Sequence, residues 1–138
     1  SFPMLDLSVG TDFRGAWNYC SALTEFPALD LSKGTNFAQA WSDCSSLTSI
    51  GQLDLSSGTN FNSAWSYCNN LANLGGFGAI SADFSLSSSP KLTVESLMNV
   101  INQAATVTGK TMTLGSDNLA KLSDEQKAVA TSKGWTLA

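Results

Sequence analysis

The chain repeats itself every 24 residues over its first half, and that period restricts the fold more than any other feature. Leu5-Asp6-Leu7-Ser8 returns as Leu29-Asp30-Leu31-Ser32 and as Leu53-Asp54-Leu55-Ser56. Gly10-Thr11 returns as Gly34-Thr35 and Gly58-Thr59. Phe13, Ala16, Trp17 and Cys20 return as Phe37, Ala40, Trp41, Cys44 and as Phe61, Ala64, Trp65, Cys68. A fixed period of 20–50 residues is the signature of units that bury their apolar faces only against one another.

Each unit reads as strand, turn, helix and return. Leu-Asp-Leu-Ser alternates apolar and polar, the period of a half-buried strand, with the leucines inward and Asp and Ser outward. In the Ser-x-Gly-Thr turn that follows, glycine is expected to supply a positive φ. Asp12, Asn36 and Asn60, or the threonines before them, are candidate helix caps. Phe, Ala, Trp and Cys then fall at i, i+3, i+4 and i+7, one apolar helical stripe. Phe26, Ile50 and Leu74 lead the chain back to the next strand. The expected fold is an α/β solenoid of the leucine-rich-repeat kind, with a parallel sheet on one face and short helices on the other. Residues 1–74 form three regular repeats in this reading, and 75–138 form irregular repeats and a C-terminal cap.

The second half keeps the logic but not the period. Phe84-Ser87 and Thr111-Leu114 read as strands. Thr93 caps a helix running through Leu97, Met98, Ile101 and Ala104. Ser123-Asp124-Glu125-Gln126 has the form of a capping box, and its helix ends near Lys133 with Gly134 after it. Trp135-Leu137 reads as a last short strand. At the other end, Ser1-Leu5 corresponds to Glu25-Leu29, in mid-repeat. The first apolar layer is therefore expected to pack on further repeats or another subunit, and the isolated chain to self-associate.

Ala-Trp-x-x-Cys-x-x-Leu-x-x-Phe/Ile resembles the Ala-Phe-x-x-Cys-x-x-Leu-x-x-Ile core of BspA-like (Treponema-type) leucine-rich repeats, including phage-encoded fibre relatives. The match lies at Ala16, Trp17, Cys20, Leu23 and Phe26. It recurs at Ala40, Trp41, Cys44, Leu47 and Ile50, and at Ala64, Trp65, Cys68, Leu71 and Leu74. Tryptophan stands where that family usually has phenylalanine, and the turn lacks the usual proline. The resemblance implies display on a bacterial surface, a phage tail fibre or a virion. It also implies adhesion or receptor binding through protein–protein or glycan contacts, with no catalytic residues, because the shared motif is structural.

Composition narrows the function. Only 13% of residues are charged and the net charge is −4. Seven scattered basic residues leave no footprint for nucleic acid. No apolar run is long enough to insert in a membrane. With no histidine, the commonest general base and zinc ligand are missing. The three cysteines lie a repeat apart on the apolar stripe, where cysteine behaves as a small hydrophobe. The expectation is a non-enzyme without cofactor or metal, extracellular or on a virion, that binds a host-cell or surface receptor, protein or glycan. Gly75-Gly76-Phe77-Gly78 lacks the Lys-Ser/Thr of a phosphate loop and reads as a junction. Lys121, Lys127 and Lys133 read as solvated.

Asp6, Ser8, Asp30, Ser32, Asp54 and Ser56 are the candidate ligand-binding residues. On neighbouring parallel strands the carboxylates would stand about 4.8 Å apart, and mutual repulsion would raise their pKa values. Either hydrogen bonds from their own turns offset that repulsion, or a cation or ligand does. A purely structural spacer or fibre tip is the alternative to recognition.

Overall fold

The computed structural model describes residues 4–138. The strands of its first half are not where the apolar alternation put them. Leu5–Ser8 and its two equivalents are irregular. The strands are the two-residue return segments: β1 (Glu25–Phe26), β2 (Ser49–Ile50) and β3 (Asn73–Leu74). They pair in parallel in the order β1-β2-β3, with Phe26 opposite Ile50 and Ile50 opposite Leu74. A second column of single parallel bridges joins Asp12 to Asn36 and Asn36 to Asn60.

The expected helices at 13–20, 37–44 and 61–68 are turns. In the first, Ala16 N–H donates to the Phe13 carbonyl, Asn18 to Gly15 and Cys20 to Trp17, at 3.1–3.2 Å. The intervening amides turn the other way: Gly15, Trp17 and Tyr19 donate to the carbonyls of Ala38, Ala40 and Ser42 at 2.8–2.9 Å. Two positions per turn are left-handed: Gly15 and Tyr19 (φ 61° and 60°), Gln39 and Asp43 (56° and 61°), Ser63 and Tyr67 (56° and 59°).

Ring spacing explains why helices do not form. Trp17, Trp41 and Trp65 stack with centroids 5.4 and 5.5 Å apart. Phe13, Phe37 and Phe61 stack at 5.5 Å. Packed helices need about 8–10 Å between axes, so no helix fits between neighbours set by stacked rings. Linked turns are thin enough, and they free every second amide to bond across. The same crowding explains Gly10, Gly34 and Gly58. None has a positive φ, contrary to expectation; a side chain there would strike the ring of Phe13, Phe37 or Phe61.

The second half is built differently. A separate sheet, order β4-β5-β6, contains β4 (Phe84–Ser85), β5 (Lys110–Thr113) and β6 (Trp135–Leu137), all parallel. Three short helices connect them: α1 (Val94–Gln103), α2 (Ser116–Leu119) and α3 (Asp124–Ser132). Thr93 Oγ1 accepts from Ser96 N–H at the start of α1. Ser123 and Gln126 close a reciprocal capping box on α3, and Gly134 follows its end at φ 92°.

The leucine-rich-repeat solenoid is therefore not the fold. The molecule is a small α/β domain with two separate three-stranded parallel sheets and three short helices, all of them after residue 93. No sheet runs the length of the chain, and no helices flank β1-β2-β3 from the repeated sequence. The expectation of a bare first layer rests partly on Ser1, Phe2 and Pro3, which lie outside the described residues. Among the described residues, no helix is long and apolar enough to cross a membrane.

One apolar cluster joins the halves. Trp65 stacks on Phe77 at 4.6 Å and meets Phe84 edge-on at 6.3 Å; Phe84 in turn meets Trp135 edge-on. The Gly75–Gly78 segment is the seam. Gln103 of α1 donates to Gly75 O and accepts from Gly78 N–H, and it exchanges two amide bonds with Gln52. Gly75 lies against the Gln52 backbone and Gly76 against the Gln103 side chain, so neither has room for a Cβ.

Candidate functional site

The aspartates occupy an exposed column, but not on a sheet. Asp6 Oδ1 accepts from the Ser8 amide and hydroxyl at 3.1 and 2.6 Å. Asp30 Oδ1 accepts the same pair from Ser32 at 3.0 and 2.6 Å. Asp54 Oδ1 accepts from the Ser56 amide at 3.0 Å. Asp-x-Ser is thus an Asx turn repeated three times, the local bond these residue types favour. Oδ2 of each carboxylate has no hydrogen bond among the described residues.

These bonds reverse the expected electrostatics. The Ser8 hydroxyl, then its amide, hold Asp6 below the ordinary carboxylate pKa. Ser32 does the same for Asp30, and the opposing charge of Asp6 is a lesser influence there. Two donors at hydrogen-bond distance outweigh a like charge screened by water.

Asp30, Asp54 and Ser56 come together in a shallow depression of about 540 Å³, with Ala28, Leu29, Gln52, Leu53, Gly78 and Ala79 completing its wall. Asp6, Ser8 and Ser32 lie outside that lining. Among the described residues, no group of three or more His, Cys, Asp or Glu side chains is arranged to hold a metal ion.

The cysteine column is internal at two of its three positions. Cys44 and Cys68 are buried and Cys20 is half-buried; all are free thiols. Cys44 Sγ donates to Trp17 O at 3.1 Å and Cys68 Sγ to Trp41 O at 3.0 Å. Burial, more than the neighbouring thiol, pushes Cys44 up to about 11 and Cys68 to about 12. Such thiols are poor nucleophiles at neutral pH. Trp41 and Trp65 are buried in the core ladder, and their indole N–H groups have no partner among the described residues.

Two lysines read as solvated have structural work. Lys133 Nζ donates to the carbonyls of Ile101, Asn102 and Ala104 at the end of α1. Lys121 Nζ donates to Pro90 O, Leu92 O and Asn118 Oδ1. Asn118 is buried and donates to Ser89 O and Leu114 O. These carbonyls lie 29–32 residues from their lysines, and local pattern does not reveal them.

Sequence reasoning also missed a cleft of about 510 Å³ where the turn column meets the second sheet. Thr59, Asn60, Phe61, Asn62 and Ser63 line one side; Ala82–Ser85, Lys110, Thr111 and Thr113 line the other. Its signal was in the numbering: Phe84 follows Phe61 by 23 residues, where the earlier interval is 24.

Comparison with protein-family models, with curated proteins and with solved structures gives no match.

Proposed function

We propose that this chain is a non-catalytic recognition module displayed on a bacterial surface, a phage fibre or a virion, where it binds a protein or glycan receptor. The observation that carries the reading is the Asp-x-Ser column. It holds carboxylates whose one oxygen is fixed by serine while the other has no hydrogen bond among the described residues. Ordered acceptors cost little further entropy on binding and suit the hydroxyl or amide donors of a glycan or peptide. The depression at Asp30, Asp54 and Ser56 gives such a group a place to sit. The motif resemblance at Ala16, Trp17, Cys20 and Leu23 supports surface display, although the leucine-rich-repeat fold does not carry over. The lack of histidine and the lowered aspartate pKa values disfavour general acid–base chemistry near neutral pH.

The second reading is a rigid spacer in a fibre or virion. The continuous ring stack from Phe13 to Phe61 and Trp17 to Trp65 favours it. The experiment is binding of the labelled chain to a glycan array and to panels of bacterial and animal cells, beside the Asp6→Asn, Asp30→Asn, Asp54→Asn triple variant. Saturable binding weakened about tenfold or more in the variant is expected. Binding unchanged by the variant moves recognition off this column. No binding on any surface leaves the spacer.

A further inference from the structure

The cross-chain ladder of the first half stops at a definable place. Phe13 and Gly15 N–H donate to the carbonyls of Asn36 and Ala38; Phe37 and Gln39 donate to those of Asn60 and Asn62, at 2.8–2.9 Å. The next amides in this series, Phe61 and Ser63, have no acceptor among the described residues. In the reverse direction, Thr11 O accepts from the amides of Thr35 and Asn36, and Thr35 O from those of Thr59 and Asn60. Thr59 O accepts from none among the described residues. Asn60 is thus bridged to Asn36 on one side and open on the other.

The register shows how the gap arises. Cys68 N–H closes a turn on Trp65 O and Leu71 on Cys68 O; Ser89 closes the same turn on Leu86 and Leu92 on Ser89. Ser89 Oγ then bonds Cys68 O, 21 residues earlier. The following segment is therefore three residues short of the 24-residue interval. Gly76 and Phe77 still pair with Leu53 and Leu55, so the shortfall lies between Phe77 and Leu86. That stretch would have faced Asn60 to Ser63, and the cleft stands in its place.

We propose that this cleft binds an extended peptide segment of a partner protein, which adds in parallel beside Asn60. The peptide's N–H donates to Thr59 O, the carbonyl of the same residue accepts from Phe61, and the carbonyl two residues on accepts from Ser63. The alternation of one acceptor and two donors matches a peptide main chain and not a simple anion, and Asp83 in the same cleft opposes an anion near Lys110. Main-chain addition at an open edge is a recurrent mode of peptide capture. The chain's own bridges indicate the preferred side chains. Thr35 Oγ1 donates to Thr11 O and Thr59 Oγ1 to Thr35 O, so Thr-Asn or Thr-Asp in the peptide extends both columns. This surface is separate from the aspartate column and stands independently of it.

The probe is the acetylated, amidated pentapeptide Gly-Thr-Asn-Phe-Ala, titrated into the full chain with ¹⁵N-resolved NMR. Saturable shifts of the Phe61 and Ser63 amides are expected. Asn62→Trp, an exposed side chain that would fill the cleft, should weaken binding about tenfold or more. N-methylation of the peptide's Asn, which removes the donor to Thr59 O, should weaken it by a similar factor. The aspartate triple variant should bind the peptide unchanged. The proposal is overturned by the absence of saturable shifts at millimolar peptide, by shifts confined to the aspartate column, or by binding indifferent to N-methylation. Since the methylated peptide leaves the protein unaltered, a misfolded Asn62→Trp would not obscure the result.

Discussion

Residues up to Leu74 and residues from Phe84 onward bury their apolar side chains in one core, yet they satisfy their backbones in opposite ways. In the first region, amides bond alternately to a carbonyl three residues back and to one in the next segment, and left-handed residues at Gln39, Asp43, Ser63 and Tyr67 make this possible. In the second, helices satisfy themselves locally and are closed by side-chain caps and by Lys133. The difference follows from what sets the spacing. Stacked rings hold neighbouring segments about 5.5 Å apart and exclude helices; the parallel crossovers of the second sheet leave room for them.

The sharpest way to break the comparison is to remove the middle ring. Trp41 is fully buried between Trp17 and Trp65. Trp41→Ala should cost about 3–5 kcal/mol in chemical denaturation, with hydrogen exchange rising first at Phe13, Phe37 and Tyr19. Equal loss of protection in α1 and α3 would mean that the halves unfold as one and the distinction has no energetic meaning. On the other side, Lys133→Met strips three carbonyls at the end of α1 of their donor and should cost roughly 1–3 kcal/mol. Its effect on exchange should centre on α1 and β6.

A single kind of substitution should then change sign between the regions. Gln39→Gly, at an exposed left-handed position, should stabilise by about 1 kcal/mol or less. Ala128→Gly, exposed inside α3, should destabilise by about 1 kcal/mol. Thermal melts of both variants test this; the same sign in each would refute the turn geometry.

The smallest effects are read from pH. Cys44 and Cys68 ionise more easily unfolded than folded, so their contribution is whole below about pH 9 and is lost as pH rises toward 11–12. At pH 8, thiol labelling should modify Cys20 well before the other two. Asp6 and Asp30 are shifted the other way: their contribution is present above the usual carboxylate pKa and fades as pH falls through the lower folded values. Asp30→Asn should flatten the acid limb of a stability curve and leave the alkaline limb unchanged.

The sequence was most readable where structure is local. Thr93, Ser123 with Gln126, and Gly134 place the ends of α1 and α3, because a cap acts within one turn of its own residue. It misled where two backbones share one pattern. Phe13, Ala16, Trp17 and Cys20 keep the same spacing whether the chain is helical or a series of turns. The warning was in the residues between them: Gly15, Asn18, Ser42, Asp43 and Ser63 are poor helix formers, and none of the three segments contains Leu, Glu or Lys. The repeated Leu-Asp-Leu-Ser misled similarly, since Asp-x-Ser alternates like a strand while its side chains favour an Asx turn. The aspartate column was legible as a set of residues, but the sign of its pKa shifts depended on hydroxyl orientation. The cleft beside Asn60 was recorded only as an irregularity in a period.

The indole column also gives the molecule an optical signature. Trp17, Trp41 and Trp65 lie face to face, tilted by 16° and 3° from one to the next. Transition dipoles so close and so nearly aligned exchange excitation, so the three chromophores absorb as a coupled set. Near-ultraviolet circular dichroism should therefore carry an exciton contribution that vanishes when the middle ring is removed. Trp135 stands outside the column, against Phe84. One label-free spectrum thus distinguishes an ordered first region from a chain in which only the second remains folded.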